Sequence, residues 1–143
     1  MADILQDFPI HVTPARVFEG ITDPAHLDQW WTLRSSGRPE IGSVYELDFG
    51  PGFAWRGVVT RAEPGVAFEW RITDADRDWT GSLVGFELSP SASGTQVRFH
   101  HRGWPEANGH YRTSCHCWAL YLRVLRRYLE YGETVAYDDR LDV

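Results

Sequence analysis

No run of lysines or arginines passes through this chain, and that absence is the first constraint on its partners. The formal charge is −6, and Arg123, Arg126 and Arg127 form the one basic grouping that stands out. A nucleic-acid binder carries a basic stripe, so no nucleic-acid partner is expected. Long apolar runs are missing too. No stretch approaches the roughly 18 consecutive apolar residues that a membrane-crossing helix needs, and no membrane span is expected. The opening residues Met1-Ala2-Asp3-Ile4-Leu5 hold neither a basic segment nor an apolar run of signal-peptide length, which leads to the expectation of a cytoplasmic protein. Cysteine is scarce: Cys115 and Cys117 are separated by one residue on a predicted helix, so a disulfide between them is not expected. Reduced thiols fit the cytosol. Apolar and charged fractions of 43% and 24% are those of a folded domain and leave no room for extensive disorder.

What the chain has in excess is tryptophan, seven in 143 residues, two of them adjacent as Trp30-Trp31. An indole is a large apolar surface with one N–H donor, suited to a core or to the wall of an apolar ligand site. The length fits one domain over residues 1–132 and a C-terminal tail over 133–143. Ile4 to Val12 reads as a strand. Thr13-Pro14 and Asp23-Pro24 then start two short helices, with Val17, Phe18 and Ile21 on the first apolar face and Leu27, Trp30 and Trp31 on the second. Arg34 to Gly42 reads as a turn-rich connection.

Period-two alternation follows. Tyr45, Leu47 and Phe49 share a face. After the Gly50-Pro51-Gly52 turn, Phe53 to Ala62 is a strand in which a bulge would decide the faces of Trp55 and Arg56. Phe68, Trp70 and Ile72, then Val84, Phe86 and Leu88, then Val97, Phe99 and His101 alternate with polar residues. The loops at Asp74–Asp78 and Ser89–Gly94 are short and polar, which favours consecutive antiparallel pairing with one apolar face.

The last element is a helix from about Glu106 to Tyr131, ended by Gly132. On it Tyr111, Cys115, Trp118, Leu122, Leu125 and Leu129 fall within about 80° of arc and must bury themselves against the sheet. A second ridge, Leu120, Val124 and Tyr131, flanked by Cys117, Tyr121 and Tyr128, points elsewhere. It is a candidate homodimer contact, unless residues 134–143 fold over it.

The segments Thr13-Pro14-Ala15-Arg16-Val17-Phe18, Ile21-Thr22-Asp23-Pro24 with Leu27 and Trp30-Trp31, Gly42 to Leu47, Gly57 to Pro64, Val66 to Trp70, Gly94 to Val97 and Trp118-Ala119-Leu120 resemble the helix-grip (SRPBCC or START-like) superfamily. Within it the chain looks like proteins related to the activator of the heat-shock protein 90 ATPase. The resemblance implies an α+β fold: a curved antiparallel sheet of six or seven strands around a long C-terminal helix, with two short helices after the first strand. The family usually has glycine before the helix tryptophan, where this chain has Cys117. Relatives bind or transform very different molecules, so the resemblance speaks for fold and leaves function to the site.

By strand and helix parity, Trp30, Trp31, Phe68, Trp70, Phe86, Phe99, His101, Tyr111, Cys115 and Trp118 project between sheet and helix. The expectation is an aromatic-lined cavity for a small hydrophobic or aromatic molecule, with access near Trp104-Pro105 and with His101 or Tyr111 as the polar handle. The same side chains would also serve as solid core, and His101 as a hydrogen-bonded core histidine. A polyketide cyclase or hydrolase using the same space, and a co-chaperone-like interaction module, are the alternatives. No metal is expected, because Cys115 and Cys117 lie about 200° apart around the helix and His100 and His101 point to opposite faces of a strand. No cofactor is implied, and no nucleophile–base–orienter set is visible around Ser114.

Overall fold

The computed structural model describes residues 1–143. Its two short helices begin where the Thr-Pro and Asp-Pro pairs place them. Thr13 accepts the Arg16 N–H at 3.3 Å to start α1 (Pro14–Thr22), and Asp23 accepts the Ala25 N–H at 3.0 Å to start α2 (Pro24–Trp30). They follow β1 (Ala2–Ile10) and precede β2 (Arg34–Ser36), β3 (Val44–Asp48), β4 (Ala54–Glu63), β5 (Ala67–Asp74), β6 (Leu83–Ser91) and β7 (Gly94–Trp104); α3 (Gly109–Tyr131) follows. The seven strands form one antiparallel sheet in the order β1-β7-β6-β5-β4-β3-β2. This is the α+β helix-grip architecture, with the sheet wrapped on α3.

Boundaries differ from the expected ones where local contacts override pattern. The first strand lies earlier, Ala2–Ile10, because Ala2 already pairs with Trp104. The connection after α2 contains β2, which pairs Arg34 with Asp48. β6 and β7 run through most of the expected Ser89–Gly94 loop, down to a Ser91–Gly94 pairing. α3 starts at Gly109 because Asn108 Oδ1 accepts the Tyr111 N–H at 2.9 Å. Gly132, at φ 69°, closes it in the left-handed region.

Strand parity holds on the inner face. Phe68, Trp70, Val84, Phe86, Val97 and Phe99 are all buried against Trp118, Leu122, Leu125 and Leu129 of α3. Each such side chain contributes about 1.5–3 kcal/mol when withdrawn from water. Register resolves the Trp55–Arg56 ambiguity: Trp55 pairs with Leu47 and packs on the core, while Arg56 bonds Glu46 outside. The irregularities lie further along, at Arg56/Gly57 and Val59/Arg61.

The second ridge of α3 is a correction. Val124 is 1% exposed and belongs to the core, Leu120 is half-buried, and of the three only Tyr131 stands open. Tyr128 beside Val124 bonds His26 of α2 at 2.6 Å, and the C-terminal tail returns across the neighbouring face. Val135 of the tail packs on the core, Tyr137 donates to the Phe49 carbonyl at 2.9 Å, and Arg140 donates to the carbonyls of Val135, Thr32 and Asp28 at 3.1, 3.1 and 2.6 Å. A continuous exposed dimer ridge through Leu120, Val124 and Tyr131 therefore does not exist. Arg140→Ala is expected to cost about 2–3 kcal/mol, from the lost charge-assisted bonds and two re-exposed segments. Urea denaturation checks this, with exposed Asp142→Ala as the silent control; equal midpoints for both variants would show the tail to be an ornament.

Candidate functional site

Between α3, the end of α2 and the loop joining β5 to β6 lies a recess of about 30 Å³ lined by Trp31, Trp79, Ser114, Cys117, Trp118 and Tyr121, with no strand residue in its wall. It has room for about one or two waters. Trp31 terminates α2, and its backbone N–H closes on the Leu27 carbonyl, so the ring turns inward under the helix. Trp79 comes from the loop joining β5 to β6. There Asp76 Oδ1 accepts the Asp78 and Trp79 N–H groups at 3.0 and 2.9 Å, and the Thr80 N–H bonds the Asp76 carbonyl at 3.0 Å. That tight turn drives an indole from a polar loop into the interior, 8% exposed. The loop is tied to the start of α3 where His110 Nδ1 donates to Asp78 at 2.9 Å and the Asn108 amide donates at 3.4 Å. The His110 bond holds the Asp78 carboxyl below its ordinary range.

The rings around the recess touch in sequence. Trp79 stacks on Trp118 at 5.8 Å, Trp118 meets Trp31 at 5.3 Å, and Trp31 stacks on Trp30 at 5.9 Å. Trp30 and Trp118 satisfy their indole N–H groups, at the Gly20 carbonyl (2.9 Å) and His101 Nδ1 (3.1 Å). Trp70, Trp79 and Trp104 do not: their Nε1 atoms are buried without a partner. A buried orphan donor costs about 1–3 kcal/mol, so three in one interior are a standing demand for acceptors.

His101 is fully buried and its tautomer follows from its partners. Nδ1 accepts from Trp118, so the proton sits on Nε2, which donates to Ser82 Oγ at 2.8 Å; Ser82 in turn donates to the Trp79 carbonyl at 2.5 Å. Burial, reinforced by the neighbouring His100 and His110, pushes its pKa down to about 3. The ring is a neutral strut. It also sets the height of Trp79, whose ring lies edge-to-face with it at 4.5 Å.

Of the expected cavity residues, only Trp31 and Trp118 line the recess. Trp30, Phe68, Trp70, Phe86 and Phe99 lie deeper and fill the space with one another, with Phe68–Trp70 at 4.7 Å and Phe99–Trp118 at 4.5 Å. Tyr111 turns to β1 instead, its hydroxyl donating to the Asp3 carbonyl at 2.7 Å; Cys115 packs on the core outside the recess lining, and its backbone carbonyl accepts from Gln6 at 3.2 Å. The expected access point at Trp104 is closed, since Trp104 is fully buried beneath His110 and Tyr111. Trp79, Ser114, Cys117 and Tyr121 are the residues that sequence reasoning left out of the site. The available signal for Trp79 was a tryptophan in an otherwise polar Asp-Arg-Asp-Trp-Thr-Gly loop. For Cys117 and Tyr121, the buried arc of α3 is wider than the core stripe alone. Both thiols are free, and no cluster of three or more His, Cys, Asp or Glu side chains is placed to hold a metal ion.

The convex side of the sheet carries a separate polar chain. His100 lies over Gly85 and donates to Glu69 at 2.7 Å, while Thr60 donates to the other Glu69 oxygen at 2.7 Å. A Cβ at Gly85 would sit 2.7 Å from His100 Nε2 and 2.8 Å from the Phe68 carbonyl, so this crossing requires glycine. The His100 bond keeps the Glu69 carboxyl below its usual range.

A family model described as "Activator of Hsp90 ATPase homolog 1-like protein" matches residues 11–130. The chain belongs to this family. Among solved structures, this member of the Activator of Hsp90 ATPase homolog 1-like family is similar to the Aha1 dimer of Colwellia psychrerythraea, with 27% identity over 93% of this chain and 99% of that one, and a TM-score of 0.84. It is similar in fold to protein SSP2350 of Staphylococcus saprophyticus, with 22% identity over 94% and 96% of the two chains and a TM-score of 0.79. DynU16, from the dynemicin biosynthetic locus, shares the fold at 24% identity over 92% of this chain and 48% of its own, with a TM-score of 0.76. No curated protein matches by sequence.

Proposed function

We propose that this protein binds a small, flat, hydrophobic or aromatic molecule that carries a hydrogen-bond acceptor, between Trp31, Trp79 and Trp118. The observation that carries this reading is the orphaned indole N–H of Trp79 beside an apolar recess. At about 30 Å³ the recess is too small for such a molecule as it stands. A ligand of ordinary size needs 300 Å³ or so, and the loop Ala75–Ser82, held by Asp78 to His110 and Asn108, is the part that swings out to admit it. Desolvation of the apolar body drives binding, and the ligand's acceptor satisfies the indole. A cyclase or hydrolase reaction in this space would need a group that titrates near neutrality, and His101, held neutral with both nitrogens engaged, does not supply it. We therefore favour binding over turnover.

Flavone, neutral and flat with one carbonyl, is the probe. Its addition is expected to shift the Trp79 indole N–H resonance and quench tryptophan fluorescence. Trp79→Phe keeps an apolar ring but loses the donor, and should weaken flavone about tenfold. Unchanged affinity with an unmoved indole resonance would remove Trp79 as the ligand's donor. The likeness to a structure solved as a dimer supports self-association as well, at a surface other than the Leu120–Val124–Tyr131 ridge. Mass by light scattering, measured alongside these titrations, decides that point.

A further inference from the structure

On the opposite flank of α3, away from the aromatic recess, a groove of about 300 Å³ runs between the helix and β1. Gln6, Asp7 and Phe8 form its sheet wall. Its helix wall is Ala119, Leu122, Arg123, Arg126, Arg127 and Glu130, residues spaced to share one face over three turns, and Tyr131 stands at its end. Tyr131 is 68% exposed and Phe8 half-buried, so each end of this largely polar groove offers apolar surface, while Leu122, 2% exposed, lies covered beneath. All 14 basic residues of this chain are arginines, and three of them gather here on a protein whose net charge is −6.

The arginines are positioned rather than cancelled. Arg126 gives only its Nε to Glu130, at 2.8 Å, leaving both Nη groups without a partner in the chain. Arg127 gives Nε and Nη2 to Glu133, at 2.7 and 2.9 Å, leaving Nη1. Arg123 makes no ion pair at all. The carboxylate of Glu130 is itself engaged twice more, by the His11 N–H at 2.9 Å and the His11 ring at 3.9 Å. Burial alone would raise its pKa, but the His11 N–H and Arg126 outweigh that and hold it ionised. The other acid of the groove, Asp7, is drawn toward Arg98 on the convex side at 3.9 Å. The Arg126 and Arg127 forks, anchored along one edge with free N–H groups on the other, are preorganised for an oxyanion, and the unpaired Arg123 adds a third cation beside them.

We propose that this groove is a second binding site, independent of the recess, for a small amphiphilic anion: a carboxylate or similar oxyanion head held by Arg123, Arg126 and Arg127, with its apolar body on Phe8, Ala119 and Tyr131. Neither feature alone selects this class. An inorganic anion would leave Phe8 and Tyr131 wet, and a neutral hydrocarbon would cover the free guanidinium N–H groups without answering them.

The test uses the intact protein and monomeric dodecanoate, followed by amide NMR shifts and calorimetry. Binding should move amides of residues 6–8 and 119–131, and flavone should not compete. Dodecanol and inorganic phosphate should each bind at least tenfold more weakly. Arg123→Glu, at an exposed position with no internal partner, should weaken dodecanoate at least tenfold with an unchanged melting temperature. Ala119→Trp, which fills the groove, should do the same. Equal binding of dodecanol or of phosphate would overturn the proposal, as would shifts confined to the tryptophan recess. So would binding only to phosphatidylglycerol vesicles, which would make the groove a membrane-facing surface, or a stable dimer whose contact covers the groove.

Discussion

Trp118→Ala is expected to remove about 5 kcal/mol of folding stability, a large share of the roughly 5–15 kcal/mol that a domain possesses. The side chain is 2% exposed and packs against Trp31, Trp79, Phe99 and His101, so its loss opens a cavity that rigid neighbouring rings cannot collapse. Alanine also withdraws the indole N–H and leaves His101 Nδ1 buried without a donor, which adds about 1–3 kcal/mol. Trp118→Phe separates the larger part of the two contributions, because it keeps most of the aromatic volume while losing the donor; about 2 kcal/mol is expected for it. Urea denaturation measures both. A loss below about 2 kcal/mol for the alanine variant would mean that the aromatic interior repacks freely, and the account of fixed rings around the recess would go with it.

Acidification is expected to destabilise the protein well before its carboxylates titrate. His101 has a folded-state pKa of about 3, against about 6.5 for an exposed imidazole. Between those values the unfolded chain binds a proton that the native state refuses. Stability therefore rises with pH across that window, and is lost as pH falls below 6.5. From pH 6.5 to 4 this one residue accounts for about 3 kcal/mol. Glu69 and Glu130, whose folded pKa values lie below the ordinary range, add their losses only below about 4.5. The comparison is with His101→Gln, whose amide can accept from Trp118 and donate to Ser82 without titrating. Its stability should fall less steeply between pH 6.5 and 4.5, by close to one proton. Parallel curves for the two proteins would show that His101 is accessible to protons and is no buried strut.

The elements of the fold were readable because each rests on short-range chemistry. Thr13-Pro14 and Asp23-Pro24 start helices wherever they stand, Gly132 ends one, and period-two alternation through Phe68, Trp70 and Ile72 or Val97, Phe99 and His101 allows one sheet face to be apolar. The inward set, and the burial of nearly every expected aromatic, follow from that parity. β2 was missed because three residues carry no alternation, and it exists only because Asp48 and Glu46 of β3 offer a ladder to Arg34 and Ser36.

Whether the aromatic interior is open or filled was beyond the reach of pattern, since it depends on ring angles. Parity points Trp30, Phe86 and Phe99 inward, but edge-to-face contacts such as Phe86–Phe99 at 5.2 Å decide that they consume the space. Trp79 escaped notice for the opposite reason: its loop is polar and aperiodic, and only the Asp76 turn together with His101 and Trp118 draws it in.

Local spacing and composition thus account for which elements form, which faces are apolar, and which family the fold joins, because those depend on contacts a few residues apart. The small recess of Trp31, Trp79 and Trp118, the covering of Val124, the pinning of Arg140 to Thr32 and Asp28, and the arginine groove against β1 arise only in three dimensions. Each joins side chains or carbonyls from parts of the chain far apart in sequence, and their distances are set by packing that no single segment encodes.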